Sequence, residues 1–222
     1  MPLVKKTLAD PEPPSKDGLQ ALTARLQSAR PEDRWEAARQ LAAFPGSLTA
    51  LAELLENEPD ERVREAALTS LAQSNSVAGF DVILRYLRVD DAALRTAALD
   101  ALKLMPDLVG ARLDALLADQ DTDIRVLACD LARAAPPPVA RKSLAAILAT
   151  EPEINVCAAA VDLLAEIGTA EILPSLAACA QRLPAPFLRF SIEIATTQIN
   201  ARSAQPNARS AQPNARSAQP QA

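Results

Sequence analysis

The sequence contains no histidine, and several other residue types are scarce. Aromatic residues make up 3% of the 222 residues, and there are five glycines and three cysteines. The lack of histidine excludes histidine-ligated metal sites and the cysteine–histidine or serine–histidine pairs of nucleophilic enzymes. Few glycines and the lack of alternating apolar runs argue against hairpins. Apolar residues still make up 49% of the chain, so the core must be built from Leu, Ala, Val and Ile in packed helices.

Charge and hydropathy narrow the class of partner. Acidic residues outnumber basic ones by 28 to 23, which gives a net charge of −5. A protein that binds a nucleic-acid duplex normally needs a clustered basic excess, so we expect no nucleic-acid partner. No apolar run approaches the roughly 18 residues of a membrane span, and the first residues lack the apolar core of a signal peptide. We therefore expect a cytoplasmic protein with no membrane partner.

One residue position recurs about every thirty residues along the chain. Its members, separated by 30, 31, 30, 32 and 32 residues, are Arg34, Arg64, Arg95, Arg125, Cys157 and Arg189. We call these the arginine positions. The residues one before each position, and three and seven after it, are mostly apolar, which is the stripe by which a helix buries one face. Self-similarity at this period predicts stacked pairs of helices, none of which can bury its apolar face alone.

A carboxylate stands four residues before four of these positions, in Asp60, Asp91, Asp121 and Glu153. Such a side chain can accept hydrogen bonds from the free N–H groups at a helix start, and its charge favours the positive end of the helix dipole. It can also pair with an arginine of the neighbouring repeat. We therefore interpret these charges as a structural ladder and not as an active site. The ladder consists of Asp60, Arg64, Asp91, Arg95, Asp121 and Arg125.

The segments that carry this pattern resemble a known repeat family. Asp60-Glu-Arg-Val-Arg64, Asp91-Ala-Ala-Leu-Arg95 and Asp121-Thr-Asp-Ile-Arg125 resemble HEAT repeats, in the short bacterial form also found in phycobilin lyase subunits. The resemblance implies an all-α fold, a right-handed α-solenoid of about five to six antiparallel helix pairs over residues 18–199. The stretch from Asn155 to Gly168 resembles part of the small HEAT proteins that accompany bacterial chemosensory components.

The resemblance implies a protein–protein interaction scaffold or adaptor, because this repeat class serves many partners. The narrower prediction is a role in bacterial signal transduction, with chemosensory signalling as the specific setting. We expect no catalytic residue, no cofactor and no metal. The alternative is a bilin lyase-like protein that handles a chromophore, although no residue pattern marks a chromophore pocket. The predicted partner is another protein, such as a signalling protein, and a homodimer is left open.

A second helical stripe becomes apolar toward the C-terminus. It lies two and six residues after each arginine position, where Glu36 and Gln40 of the first repeat give way to larger apolar residues in later repeats. We predict that this face contacts a partner protein, a second copy or the final helix, with packing inside the chain as the open alternative. The candidate partner surface consists of Val126, Leu127, Leu131, Ala159 and Leu163.

Four further side chains are singled out by their rarity. Cys129, Cys157 and Cys179 lack CxxC spacing and are predicted to be reduced thiols. Cys157 occupies an arginine position, so it is the one to test for reactivity, although an inert structural thiol is the alternative. Trp35, the only tryptophan, is expected to cover the open end of the core, with an interface anchor as the alternative.

The two ends of the chain differ from the repeats in composition. Residues 1–17 contain four prolines and are predicted to be a disordered leader. Residues 200–222 contain three copies of Asn-Ala-Arg-Ser-Ala-Gln-Pro and lack large apolar side chains. They are predicted to be disordered as well.

Overall fold

A computed structural model describes residues 16–204 of the chain. Within that range the secondary structure is helical, without strands, and the predicted all-α class is confirmed. The α-helices are α1 (Lys16–Arg25), α2 (Pro31–Leu41), α3 (Leu48–Asn57), α4 (Glu61–Gln73), α5 (Val77–Arg85), α6 (Ala92–Lys103), α7 (Pro106–Leu117), α8 (Thr122–Leu131), α9 (Pro137–Ile147), α10 (Ile154–Ile167), α11 (Leu173–Arg182) and α12 (Pro186–Ala204). None of the helices in the described part of the chain combines the length and apolarity needed to cross a membrane.

The helices belong to two compact units, Met1–Arg112 and Leu113–Ala222. In the first unit α2, α4 and α6 pack in series, and α3 and α5 pack beside them. In the second unit α8, α10 and α12 pack in series, with α9 against α10 and α11 against α12. Each of these six serial helices carries one arginine position, and we call them the first helices of their repeats.

The apolar stripe predicted for the first helices forms the core. In α4 it comprises Val63, Ala67 and Leu71, which are at most 1% exposed. The corresponding positions of α6, α8 and α10 are buried as well. Burial of a Val or Leu side chain contributes about 1.5–3 kcal/mol. The small alanine between two larger residues lets the neighbouring helix approach closely, so the repeats are held together mainly by this stripe.

Aspartates begin three of the first helices. The side chain of Asp60 accepts hydrogen bonds from the backbone N–H groups of Arg62 and Val63 at the start of α4. Asp91 and Asp121 cap α6 and α8 in the same way. An aspartate at this position typically stabilises a helix by about 1 kcal/mol relative to alanine. The capping half of the ladder therefore sets where each of these helices starts.

Glu153 does not cap α10, and this part of the prediction is wrong. Its side chain accepts no hydrogen bond from the backbone at the helix start. A glutamate carboxylate lies one methylene group farther from its own backbone than an aspartate carboxylate, which makes the short capping turn less favourable. The backbone N–H of Glu153 instead donates to the side chain of Glu151 at 3.0 Å.

The last helix extends beyond the predicted end of the repeats at residue 199. α12 ends at Ala204, so the first residues of the heptapeptide repeats are helical and not disordered. Two contacts explain the difference. Ile199 is fully buried, and Arg202 donates to the carbonyl oxygens of Ala165 at 2.7 Å and Gly168 at 3.1 Å, at the end of α10. These contacts hold residues 200–204, the first part of the heptapeptide repeats, against the repeat.

At the other end, α1 begins at Lys16, two residues before the predicted start of the repeats. The rest of the predicted leader, residues 1–15, lies outside the described residues, and so do residues 205–222 of the heptapeptide repeats.

Gly168 ends α10 at a point where α12 approaches closely. A Cβ atom at this position would collide with the carbonyl oxygen of Leu164 and would lie 2.8 Å from Cδ1 of Ile199. We expect Gly168→Ala to lower the free energy of unfolding by about 1–3 kcal/mol, because overpacking forces the neighbouring groups to shift. Urea denaturation followed by circular dichroism measures the change.

The matched control is Thr197→Ala, at an exposed position of α12. Surface substitutions of this kind change stability by no more than about 0.5 kcal/mol. An unchanged urea midpoint for Gly168→Ala would contradict the close approach of α10 and α12.

Candidate interaction surfaces

Buried glutamates connect arginine positions to the following repeat. Nε and Nη2 of Arg34 donate to the two carboxylate oxygens of Glu58 at 2.7 and 2.6 Å. Arg125 binds Glu151 in the same two-pronged way, at 2.9 and 3.0 Å. The exposed fractions of the two glutamate side chains are 1% and 4%. Because the ions are buried, their charge and hydrogen-bonding groups have to be matched inside the protein.

The same arginines hold the backbone that precedes their own helix. Nη1 of Arg34 donates to the carbonyl oxygen of Ser28 at 2.9 Å, and Nη1 of Arg95 donates to that of Val89 at 2.7 Å. Arg125 makes the corresponding bond at 2.8 Å. In each case the carbonyl lies six residues before the arginine. One arginine side chain thus binds the turn before its own helix. Where a glutamate is present, it also binds the turn before the next first helix.

Of the predicted ladder, Arg64 has the expected carboxylate as partner and Arg125 has a different one, as does Arg34 at the first arginine position. The expected pairing with the capping carboxylate of the next repeat is present at Arg64, whose Nη2 lies 3.2 Å from Asp91. Arg34 and Arg125 bind the glutamate two residues before the cap instead. Arg64 lacks that partner because the corresponding residue is Val89, and among the described residues its buried Nε has no hydrogen-bond partner.

The sequence carries a signal for these glutamates that the ladder prediction missed. A glutamate, a proline and the acidic residue just before the helix follow one another in two repeats. The two triplets are Glu58-Pro59-Asp60 and Glu151-Pro152-Glu153.

Glu58 is ionised in the fold for an identifiable reason. Burial alone would raise the pKa of its carboxyl group, but hydrogen bonds from the Arg34 guanidinium and from the backbone N–H of Asp60 hold the pKa below its ordinary value. Folding therefore favours the charged form of this group.

Cys157 occupies an arginine position but is a buried thiol. Its Sγ lies 3.5 Å from the carbonyl oxygen of Glu151, six residues earlier, where the arginines place a guanidinium. Arg182 of α11 donates to the carbonyl oxygen of Leu148 at 2.9 Å and lies 4.0 Å from the sulfur. Burial raises the pKa of Cys157 to about 12, and the neighbouring Cys179 acts in the same direction. The geometry therefore favours the structural alternative over a reactive thiol.

The predicted partner surface is wrong for two of its three leucines. Leu131 and Leu163 are 0% and 2% exposed, so a partner cannot reach them. Both leucines lie on helices of the second unit, in which α8 and α10 pack against each other. The larger apolar side chains therefore fill space inside the chain. Val126, Leu127 and Ala159 are half-buried, and their contact with a partner stays a prediction.

A groove of about 1030 Å³ lies between α2 and α4. Trp35 lines it with 38% of its surface exposed, so the indole does not simply close the core as expected. The guanidinium carbon of Arg39 lies 4.6 Å from the centroid of the indole ring, which is a cation–π distance. The groove is lined by Trp35 and by charged residues, which are Glu32, Glu36, Arg39, Arg62 and Glu65.

A second apolar surface lies on α12 and was missed from the sequence. Phe187, Phe190 and Ile194 are 66%, 62% and 41% exposed. Their spacing of three and four residues places them on one side of the helix, and we call them the α12 stripe. The signal was an apolar pattern too wide for one buried face, because Leu188 and Ile192 of the same helix already supply the core.

One comparison with known proteins identifies the type of repeat. Residues 19–103 match the family model described as HEAT repeats, which confirms the predicted repeat class for that segment. This segment contains α2 and α4, and therefore the groove. The comparison with curated proteins returned no match.

Solved structures with some likeness are helical repeat proteins of low identity. Two engineered proteins of the Northeast Structural Genomics Consortium are each 20% identical over 82% of this chain, with 96% and 98% of their own chains covered and TM-scores of 0.41 and 0.40. The complex of CpcE and CpcF of phycocyanin lyase from Nostoc sp. PCC7120 is 17% identical, with 90% of this chain and 99% of that chain covered and a TM-score of 0.38. These scores are too low to transfer a function.

We expect Glu58→Gln to lower the free energy of unfolding by about 3 kcal/mol, because the buried Arg34 loses its counter-ion. Urea denaturation at neutral pH measures the loss. The control is Glu36→Gln, since the Arg25–Glu36 pair at 2.8 Å is about half exposed. An exposed pair contributes no more than about 1 kcal/mol, so equal losses in the two variants would contradict the special role of Glu58.

We expect acid to destabilise the fold by protonating Glu58. The folded pKa of Glu58 lies below its unfolded value, which is roughly 4.3. Its stabilising contribution is therefore complete above the unfolded pKa and is lost as pH falls through the folded pKa. Stability measured against pH should fall more steeply in this window for the wild type than for Glu58→Gln, and parallel curves would contradict the linkage.

The cysteines should not react in the folded protein. Burial raises the pKa of both Cys129 and Cys157 to about 12, so almost no thiolate is present at neutral pH. Ellman's reagent should label neither thiol in the native protein and both in guanidinium chloride. Rapid labelling of Cys157 in the native state would revive the reactive-thiol hypothesis.

Proposed function

We propose that this protein is a non-enzymatic interaction scaffold that binds a segment of a partner protein in the groove between α2 and α4. The observation that supports this function is the exposed indole of Trp35 inside that groove. Exposed tryptophans surrounded by polar residues are characteristic of interface anchors, because they bury a large apolar area and lose few rotamers on binding.

The dimensions of the groove fit a short helix. α2 and α4 contain 11 and 13 residues, so the groove is roughly 16–20 Å long at 1.5 Å per residue. A partner helix of about three turns has the same length. The groove is formed by two packed helices of one unit, and such a rigid floor favours binding of an amphipathic helix by its apolar face.

The groove carries charges of both signs, because Arg39 and Arg62 line it together with three glutamates, and Arg62 is bound to Asp60 at 3.2 Å. We infer that the glutamates select a partner segment with basic residues. Glu32 and Glu65 line the groove beside Trp35. Glu36 is already bound to Arg25 at 2.8 Å. An apolar side chain of the partner would pack on the indole, while a lysine or arginine one turn away would meet the carboxylates.

A binding role is favoured over catalysis by the chemistry of the groove. The chain has no histidine, and the carboxylates that line the groove are exposed to solvent. General acid–base catalysis usually relies on a group whose surroundings tune its pKa and on a partner that orients it. We therefore propose that the groove binds a protein and does not transform a substrate.

The narrower form of the proposal is a role in bacterial signal transduction, with a chemosensory component as the partner. It rests on the resemblance of the stretch from Asn155 to Gly168 to small HEAT proteins of that setting. A cytoplasmic location belongs to the same proposal.

We expect Trp35→Ala to weaken binding of the partner at least about tenfold, since truncation of an anchor residue removes most of its buried area. The partner is first captured from the native cell with the wild-type protein and identified. Its affinity for the wild type and the variant is then measured by calorimetry. Because Trp35 is the only tryptophan, a blue shift of its fluorescence on titration places the partner in the groove.

The matched control is Leu104→Ala, which removes an apolar side chain that is 56% exposed and lies outside the groove. It should leave the affinity unchanged. Equal affinities for the wild type and Trp35→Ala, without a fluorescence shift, would overturn the groove as the binding site. A new visible absorption band on mixing with bilin would favour the lyase-like alternative instead.

A further inference from the structure

The α12 stripe is more apolar than the corresponding positions of the other first helices. Its members lie two residues before, and one and five residues after, the arginine position Arg189. In the other first helices these three positions include charged or small residues and never three large apolar ones. Terminal repeats need a polar outer face for solubility, so three exposed apolar side chains on the last described helix indicate a surface that another protein covers.

Two charged residues beside the α12 stripe are centred at nearly the same point along the helix as the stripe itself. Arg189 and Glu193 are exposed on one flank of α12, and neither takes part in an ion pair with another residue of the described part of the chain. The midpoint between them along the helix is residue 191. The α12 stripe begins at Phe187 and ends at Ile194, so its midpoint falls half a residue away.

This coincidence is what a two-fold axis requires. We propose that the α12 stripe binds the α12 stripe of a second copy of this chain, with the two helices antiparallel. Phe187 of each copy then lies opposite Ile194 of the other, and the two copies of Phe190 meet near the axis. Arg189 of each copy faces Glu193 of the other on the same flank, so that every contact occurs twice. In a parallel arrangement the two-fold axis would place these charged residues of the two copies on opposite flanks, so that Arg189 and Glu193 would not meet.

The composition of the last heptapeptide copies makes them a poor cover for this surface. Residues 205–222 consist of Ala, Arg, Asn, Gln, Pro and Ser, and contain no large apolar side chain that could replace water over the phenylalanines. The α12 stripe of a second copy supplies three large apolar side chains.

The size of the surface sets the strength of the dimer. Two phenylalanines that are about two-thirds exposed and one isoleucine expose roughly 300 Å² of apolar side chain per copy. A standard stable interface buries about 800 Å² per partner. The dimer is therefore weak, and its population changes with protein concentration.

Sedimentation equilibrium of the full chain from about 5 to 500 μM tests the proposal. The wild type should pass from monomer to dimer over this range. Phe190→Asp should remain monomeric, because the two-fold axis would bring two buried charges together. Leu104→Asp, at an exposed apolar residue of the other unit, should dimerise like the wild type. Circular dichroism melting checks that each variant is folded.

Charge exchange tests the antiparallel register. Arg189→Glu and Glu193→Arg should each weaken the dimer about tenfold, because each places like charges opposite one another. The double variant Arg189→Glu with Glu193→Arg should return the dissociation constant to within about threefold of the wild type, since the pairs are restored with exchanged signs.

Each other outcome overturns the proposal. A wild type that stays monomeric at 500 μM excludes the homodimer, and a different protein whose binding is lost in Phe190→Asp would then be the occupant. A double variant as weak as the single variants excludes the antiparallel register. The dimer is independent of the proposed partner groove, because Trp35→Ala should leave dimerisation unchanged.

Discussion

Burial of a guanidinium against a carboxylate at the junction between repeats is the constraint on which the rest of the structure depends. Removing both ions from water is unfavourable unless nearly every donor and acceptor is matched. Arg34 meets this condition through Glu58 and the carbonyl of Ser28, while Glu58 also accepts from the backbone N–H of Asp60. These bonds tie the ends of three chain segments to one ion pair. The angle between the two repeats that such a pair joins can therefore vary little.

The faces of a first helix inside a unit, such as α4 or α10, have different surroundings because of this arrangement. One face forms the core with the second helices, and two contact the neighbouring first helices of the same unit, as α8 contacts α10 through Cys129, whose Sγ lies 3.8 Å from the carbonyl of Val156. The fourth face points outward. Trp35 and Phe190 occupy the same outward position, one residue after the arginine position. Both proposed interaction surfaces thus lie on the outward face, which does not take part in the stacking of repeats.

Prediction from the sequence succeeded where a single helix determines the outcome. The buried stripe of Val63, Ala67 and Leu71 and the cap at Asp60 depend on local spacing, and both are present. It failed where a helix carries two apolar stripes and both are buried. Leu131 and Leu163 belong to a stripe whose neighbour cannot be read from periodicity, so an interhelical contact was mistaken for a partner surface.

The sequence by itself determined the repeat, the helical class and the residues that start the helices, because each of these follows from side-chain spacing along a single helix and from hydrogen bonds between near neighbours. Only the tertiary structure decided which face of each helix is covered and by what. It brought Glu58 to Arg34 across 24 residues, buried Cys157 and Leu163, and left Trp35 and the α12 stripe in solvent. The reason is physical: exposure and ion pairing depend on the neighbouring helix in space, and a periodic pattern does not specify the distance or orientation of that neighbour.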